Sequence, residues 1–122
     1  LNDDFAIIRK IDNVFHVFSS PFYETNPFPK IKKSYPLDRI FFLSQSRISL
    51  SYPMDTSRAL TKLIPLALSP LSFIPRIWKN YPHLYSRKIG ESMIHEASNL
   101  SEQIPCFVLK FKKDRSFMQY LS

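Results

Sequence analysis

Gly90 is the only glycine in this chain, while ten prolines are spread through it. Cradling a phosphate on main-chain N–H groups requires the backbone to approach oxygen atoms with no Cβ in the way. A Walker A loop accordingly takes at least two glycines in a short window, and the dinucleotide fingerprint takes three. The 122 residues therefore hold no standard phosphate-cradling loop. The prolines fall mostly between apolar runs, so the elements are expected to be short and sharply punctuated.

A chain of 14.4 kDa suffices for one compact domain, and residues 1–122 read as a single domain or a domain fragment. With 44% hydrophobic and 15% aromatic residues it can bury a core and does not read as a disordered tail. Seventeen Lys and Arg against ten Asp and Glu leave a net charge of +7, which favours anionic partners. A single cysteine, Cys106, excludes an internal disulfide and a clustered cysteine zinc site, and fits a cytoplasmic protein. The longest uncharged stretch, residues 63–75, contains three prolines and is too short to cross a bilayer, so no membrane partner is expected. An opening Leu1 in place of Met, followed by Asp3 and Asp4, reads as a fragment or processed product.

Along the chain, Phe5-Ala6-Ile7-Ile8 has the pattern of a strand buried on both faces. Val14 to Phe18 is a second strand. Asp12-Asn13 between them suits a tight turn, because both side chains tolerate left-handed backbone angles, so residues 5–18 are expected to form a β-hairpin. Pro21, Pro27, Pro29 and Pro36 bracket an irregular basic loop. Ile40 to Leu43 is a third apolar strand, and Ile48, Leu50 and Tyr52 alternate with serines as a half-exposed strand does. Asp55 or Thr56 can then cap a helix whose face is Ala59, Leu60, Leu63 and Ile64, with Pro65 interrupting it. Asn80 can cap a second helix, with Pro82 in its first turn and Tyr85, Ile89, Met93, Ala97 and Leu100 on one face. These two helices are expected to cover a sheet. Phe107, Leu109 and Phe111 alternate with Cys106, Val108 and Lys110 in a last strand behind Pro105, and residues 116–121 suit one further helical turn.

The residues able to carry chemistry are few. Lys30, Lys32 and Lys33, with Tyr23 and Tyr35 nearby, form a candidate anion-binding cluster, against the alternative of a solvated loop. Lys110, Lys112, Lys113 and Arg115 read as edge lysines that discourage sheet-to-sheet aggregation. His16, His83 and His95 match no metal-ligand spacing. Cys106 reads as a small buried hydrophobe, since nothing adjacent lowers its pKa. Asp3-Asp4, taken alone, reads as a solvated acidic end.

Several segments, in order, resemble a known family: Leu1-Asn2-Asp3-Asp4 before an apolar run, Ser20-Pro21-Phe22, then Pro36-Leu37-Asp38-Arg39-Ile40-Phe41-Phe42-Leu43. Two helices follow, and the chain closes with Ile104-Pro105-Cys106-Phe107-Val108-Leu109-Lys110-Phe111, Asp114 and Phe117. This order resembles the C-terminal part of HPr-kinase-like proteins, in the phosphoenolpyruvate-carboxykinase-like group of P-loop kinases. The resemblance implies an α/β fold, a mixed β-sheet with covering helices. It also implies an ATP- and Mg2+-dependent transfer to a serine or other hydroxyl, with Asp3 and Asp4 as the catalytic and metal-holding pair. The family's Gly-rich loop lies upstream and is absent from these residues, and a glycine- and acid-containing signature of the true HPr kinases is not found. The implied enzyme is therefore inactive without a P-loop segment supplied from elsewhere. The alternative is a non-catalytic module with a kinase-like scaffold that recognises an anionic peptide or protein. Nucleic acid ranks below a protein partner. An open sheet edge left by a missing half would call for a companion chain or a second copy.

Overall fold

The computed structural model describes residues 6–19, 34–72 and 87–121, and among them the chain is a small mixed α/β fold with two three-stranded sheets and two α-helices. It divides into two compact units, Leu1–Asp38 and Arg39–Ser122.

The first unit carries β1 (Ala6–Ile11), β2 (Val14–Ser19) and β3 (Ser34–Pro36), antiparallel in the order β1-β2-β3. The expected hairpin is present. Ile11 pairs with Val14 across a two-residue turn in which Asp12 and Asn13 have φ of 49° and 65°. Two left-handed central residues match the right-handed twist of the flanking strands, and Asp and Asn are the non-glycine residues that accept them most readily. The expectation that the apolar run is buried on both faces does not hold: every residue of β1 is exposed. Successive isoleucines point to opposite faces, and the neighbouring strand β2 pairs with β1 in the plane of the sheet, where it covers neither face. Burial falls instead on Phe15 of β2, over whose ring Lys10 Nζ sits at 5.2 Å.

The second unit is built on β4 (Ile40–Gln45), β5 (Leu50–Met54) and β6 (Cys106–Phe111), in the order β4-β6-β5. β6 runs parallel to β4 and antiparallel to β5, so the strand that comes last in the chain is the central one. Lys110 is therefore not an edge lysine, which corrects the sequence expectation. Its Nζ lies along the sheet, 5.9 Å from the Tyr52 ring centroid. The register separates the side chains into two faces. Phe42, Val108 and Tyr52 share one, and Lys62 of the first helix reaches the Phe42 ring at 6.0 Å. Phe41, Phe107, Leu109 and Phe111 share the other, where Phe41 stacks on Phe107 at 5.5 Å and Phe117 meets Phe111 edge-on at 6.0 Å. Leu109, at 1% exposure, is the largest fully buried side chain among the described residues.

Helix α1 (Thr56–Ser72) begins where Asp55 Oδ1 accepts the Arg58 N–H at 2.9 Å, the cap expected from the sequence. Ala59 and Leu63 are its buried pair one turn apart, and α1 packs against α2 (Arg87–Gln103), whose buried side is Ala97, Leu100 and Ser101. Asn80, Pro82 and Tyr85 lie outside the described residues. Pro65 does not interrupt α1 as expected: the helix runs through it, and Pro65 itself is exposed. The lost donor to the Thr61 carbonyl is tolerated because residues before and after Pro65 belong to one helix held against α2. The last element is a 3₁₀ helix over Arg115–Tyr120, within one residue of the helical turn expected at 116–121.

Two helix substitutions test this arrangement by urea unfolding. A Cβ built on Gly90 meets nothing within 4 Å, so Gly90→Ala stabilises by about 0.5–1 kcal/mol. Pro65→Ala restores a main-chain hydrogen bond and stabilises by up to about 3 kcal/mol. A destabilising Pro65→Ala would contradict a continuous α1.

Candidate anion-binding surface

The loop joining β4 to β5 has only four residues, 46–49, yet the two strands are separated by β6. Two inter-strand spacings amount to about 10 Å, which four extended residues can bridge only by passing over the end of the strand between them. The carboxyl end of β6 is the end they cross, because Gln45 pairs with Phe111 and Leu50 with Lys110. Hydrogen bonds fix the arch in place. The Ser46 N–H donates to the Phe111 carbonyl at 2.8 Å, and the Lys112 N–H donates to Ser49 Oγ at 3.2 Å.

The chain leaving β6 stays against this arch. Ser49 Oγ and Ser116 Oγ are 2.6 Å apart, and the Tyr120 hydroxyl donates to the Ser49 carbonyl at 3.1 Å. Asp114 caps the 3₁₀ helix by accepting the Ser116 N–H at 2.8 Å, and its other oxygen meets Lys112 Nζ at 3.4 Å. Hydrogen bonding from Ser116, side chain first and then backbone, holds the Asp114 carboxyl below the usual aspartate range, and Lys112 adds to this. Arg47 on the arch and Lys112, Lys113 and Arg115 on the segment after β6 are thus exposed on two segments that hydrogen bonds hold at one end of the sheet, with Asp114 against Lys112.

Asp3 and Asp4, which the resemblance implies as a catalytic and metal-holding pair, lie outside the described residues, as do Lys30, Lys32 and Lys33. Tyr35 is exposed on β3. His16 is on β2, its Nδ1 3.5 Å from Ser34 Oγ, and His95 is on α2. Among the described residues no group of three or more His, Cys, Asp or Glu is placed to hold a metal ion. No helix among them is long and apolar enough to cross a membrane. Cys106 is buried, as expected, at the start of β6, and burial pushes its thiol pKa up.

The sequence matches no protein-family model, no curated protein and no solved structure.

A raised pKa leaves the Cys106 thiol protonated at neutral pH, and burial denies it to reagent. The native protein is expected to react with a disulfide reagent at least about a hundredfold more slowly than the protein unfolded in guanidinium. Equal rates would mean that Cys106 is open to solvent.

Proposed function

We propose that the chain is a binding module whose basic surface, at the carboxyl end of β6, recognises an anionic peptide or protein segment. The observation that carries this reading is that Arg47, Lys112, Lys113 and Arg115 are all exposed on two loops hydrogen-bonded to each other and to one strand end. In sheets with parallel strands, ligands are commonly met just beyond the carboxyl ends of the strands, and β4 and β6 both end here. The cations are exposed, so they act by long-range attraction and replaceable contacts. This suits an extended acidic segment better than one small buried ligand.

The test is binding of a poly-glutamate peptide across a salt series. Affinity is expected to fall by about tenfold or more between roughly 50 and 300 mM salt, because exposed charges are screened within a Debye length. Lys112→Glu combined with Lys113→Glu weakens binding about tenfold, whereas Lys88→Glu, on α2, leaves it within about twofold. Salt-insensitive or absent binding would overturn the reading. Tighter, steeply salt-dependent binding to an oligonucleotide would replace the acidic peptide with nucleic acid.

A second reading follows from the ordered resemblance to HPr-kinase-like proteins, and the parallel β4–β6 pair reached through two helices is compatible with it. In that reading the chain is the C-terminal part of an ATP- and Mg2+-dependent kinase acting on a serine or other hydroxyl. Asp3 and Asp4 would hold the metal and accept the hydroxyl proton, and a separate segment would supply the phosphate loop. Replacing both by Asn abolishes transfer in the protein complemented with a P-loop segment. Retained activity would sink this reading and leave the binding module untouched.

A further inference from the structure

We propose that Ser116 is a phosphoacceptor site through which a protein kinase switches off the basic surface, an inference that rests on the anion-binding reading above. Three observations meet at this one side chain. Ser116 is exposed, so its hydroxyl can be reached. It is preceded by Arg115, Lys113 and Lys112, one, three and four residues ahead, a pattern that an acidic substrate cleft selects by charge. It also lies inside the cation cluster, since Asp114 binds both the Ser116 N–H and Lys112 Nζ.

Ser49, its hydrogen-bond partner, is the poorer acceptor. It is half-buried, its Oγ takes the Lys112 N–H, and its carbonyl takes the Tyr120 hydroxyl. The segment around Ser116 is a six-residue 3₁₀ helix, an element with weak internal hydrogen bonds that opens locally at low cost, as binding in an enzyme cleft demands.

The reaction is transfer from ATP by a serine/threonine protein kinase. Ser116 Oγ attacks the γ-phosphorus, the bond from that phosphorus to the ADP oxygen breaks, and the hydroxyl proton passes to the kinase's base. The products are phosphoserine, ADP and a proton. The new group carries about two negative charges at neutral pH. It repels Asp114 and competes with it for Lys112, and the hydroxyl hydrogen that Ser116 gives to the Asp114 carboxylate is lost. The two added negative charges sit on the segment that carries Lys112, Lys113 and Arg115, beside the Lys112–Asp114 pair, so most of the positive excess of that segment and Arg47 is offset.

The experiment treats the full chain with ATP and a basic-directed serine/threonine protein kinase, maps the phosphate by peptide mass, and measures poly-glutamate binding before and after. The expected result is phosphate on Ser116, an affinity about tenfold lower and a shallower salt dependence. Ser116→Ala takes up no phosphate at that position, and its binding does not respond to the kinase. Phosphate placed only on other serines, or stoichiometric phospho-Ser116 with unchanged affinity, overturns the inference and leaves the anion-binding reading standing. Failure of the untreated chain to bind poly-glutamate overturns both.

Discussion

The second unit depends on β6 being inserted between two strands that precede it by more than fifty residues. Hydrogen bonds of β6 to β4 on one side and β5 on the other assemble the sheet, and Leu109 at its middle is the most completely buried large side chain described. β4 and β5 cannot pair with each other while β6 lies between them, so their short connection becomes an arch over its end. A strand parallel to β4 must be entered from the end where β4 begins, and β5 has already brought the chain to that end, since its last residue, Met54, pairs with Cys106 at the start of β6; α1 and α2 lie in the segment between β5 and β6. Such a sheet closes only after long-range contacts form, because neither edge strand has a strand partner until β6 arrives.

The arch also explains why the basic surface is where it is. Arg47 is separated from Lys112 by most of the second unit's sequence, and their segments meet because residues 46–49 cross the strand that Lys112 leaves, where Ser49 Oγ accepts the Lys112 N–H. The polar side chains there hold the crossing together: Ser49 accepts from the Lys112 backbone, and Ser116 meets the Ser49 hydroxyl. Cations on exposed loops cost little desolvation, so their crowding is tolerated, and Asp114 relieves part of it at Lys112. As pH falls through the depressed folded pKa of Asp114, below the ordinary value of about 4, protonation removes both its charge on Lys112 and its cap on Ser116. The 3₁₀ helix and the surface charge are thus linked through one carboxylate.

Local structure was largely legible in the sequence because it rests on local causes. Asp12-Asn13 announced a two-residue turn through its tolerance of positive φ, Asp55 announced a cap, and the alternation from Cys106 to Phe111 announced a strand. What could not be read was which strand neighbours which. Lys110 lies on the last strand of the chain and was assigned to an edge, whereas that strand is the central one. The apolar run of β1 misled for a related reason: hydrophobicity on both faces signals burial only if other elements cover both, and what covers the faces of a sheet is not local information. Pro65 shows tertiary packing overriding a local breaker.

The candidate surface illustrates the same limit from the side of function. Its cations after β6, Lys112, Lys113 and Arg115, were visible as a run, but a charge run alone is equally a solvated tail. Two features missing from the run distinguish a surface from a tail: a cation from a distant segment, Arg47, and main-chain anchoring of both segments to one strand end. Four serines, Ser44, Ser46, Ser49 and Ser51, crowd around the arch, and they offered a signal in hindsight. Small hydroxyl side chains at a strand crossing can accept from backbone N–H groups that the interrupted ladder leaves unpaired, as Ser49 does for Lys112 and Ser46 Oγ does for the Ile48 N–H at 3.4 Å. A serine-rich connection between two apolar strands, with a basic segment following a third, is therefore consistent with a split pair whose central strand arrives later. In that topology the charges on the two loops are brought to the same end of the sheet by strand order alone.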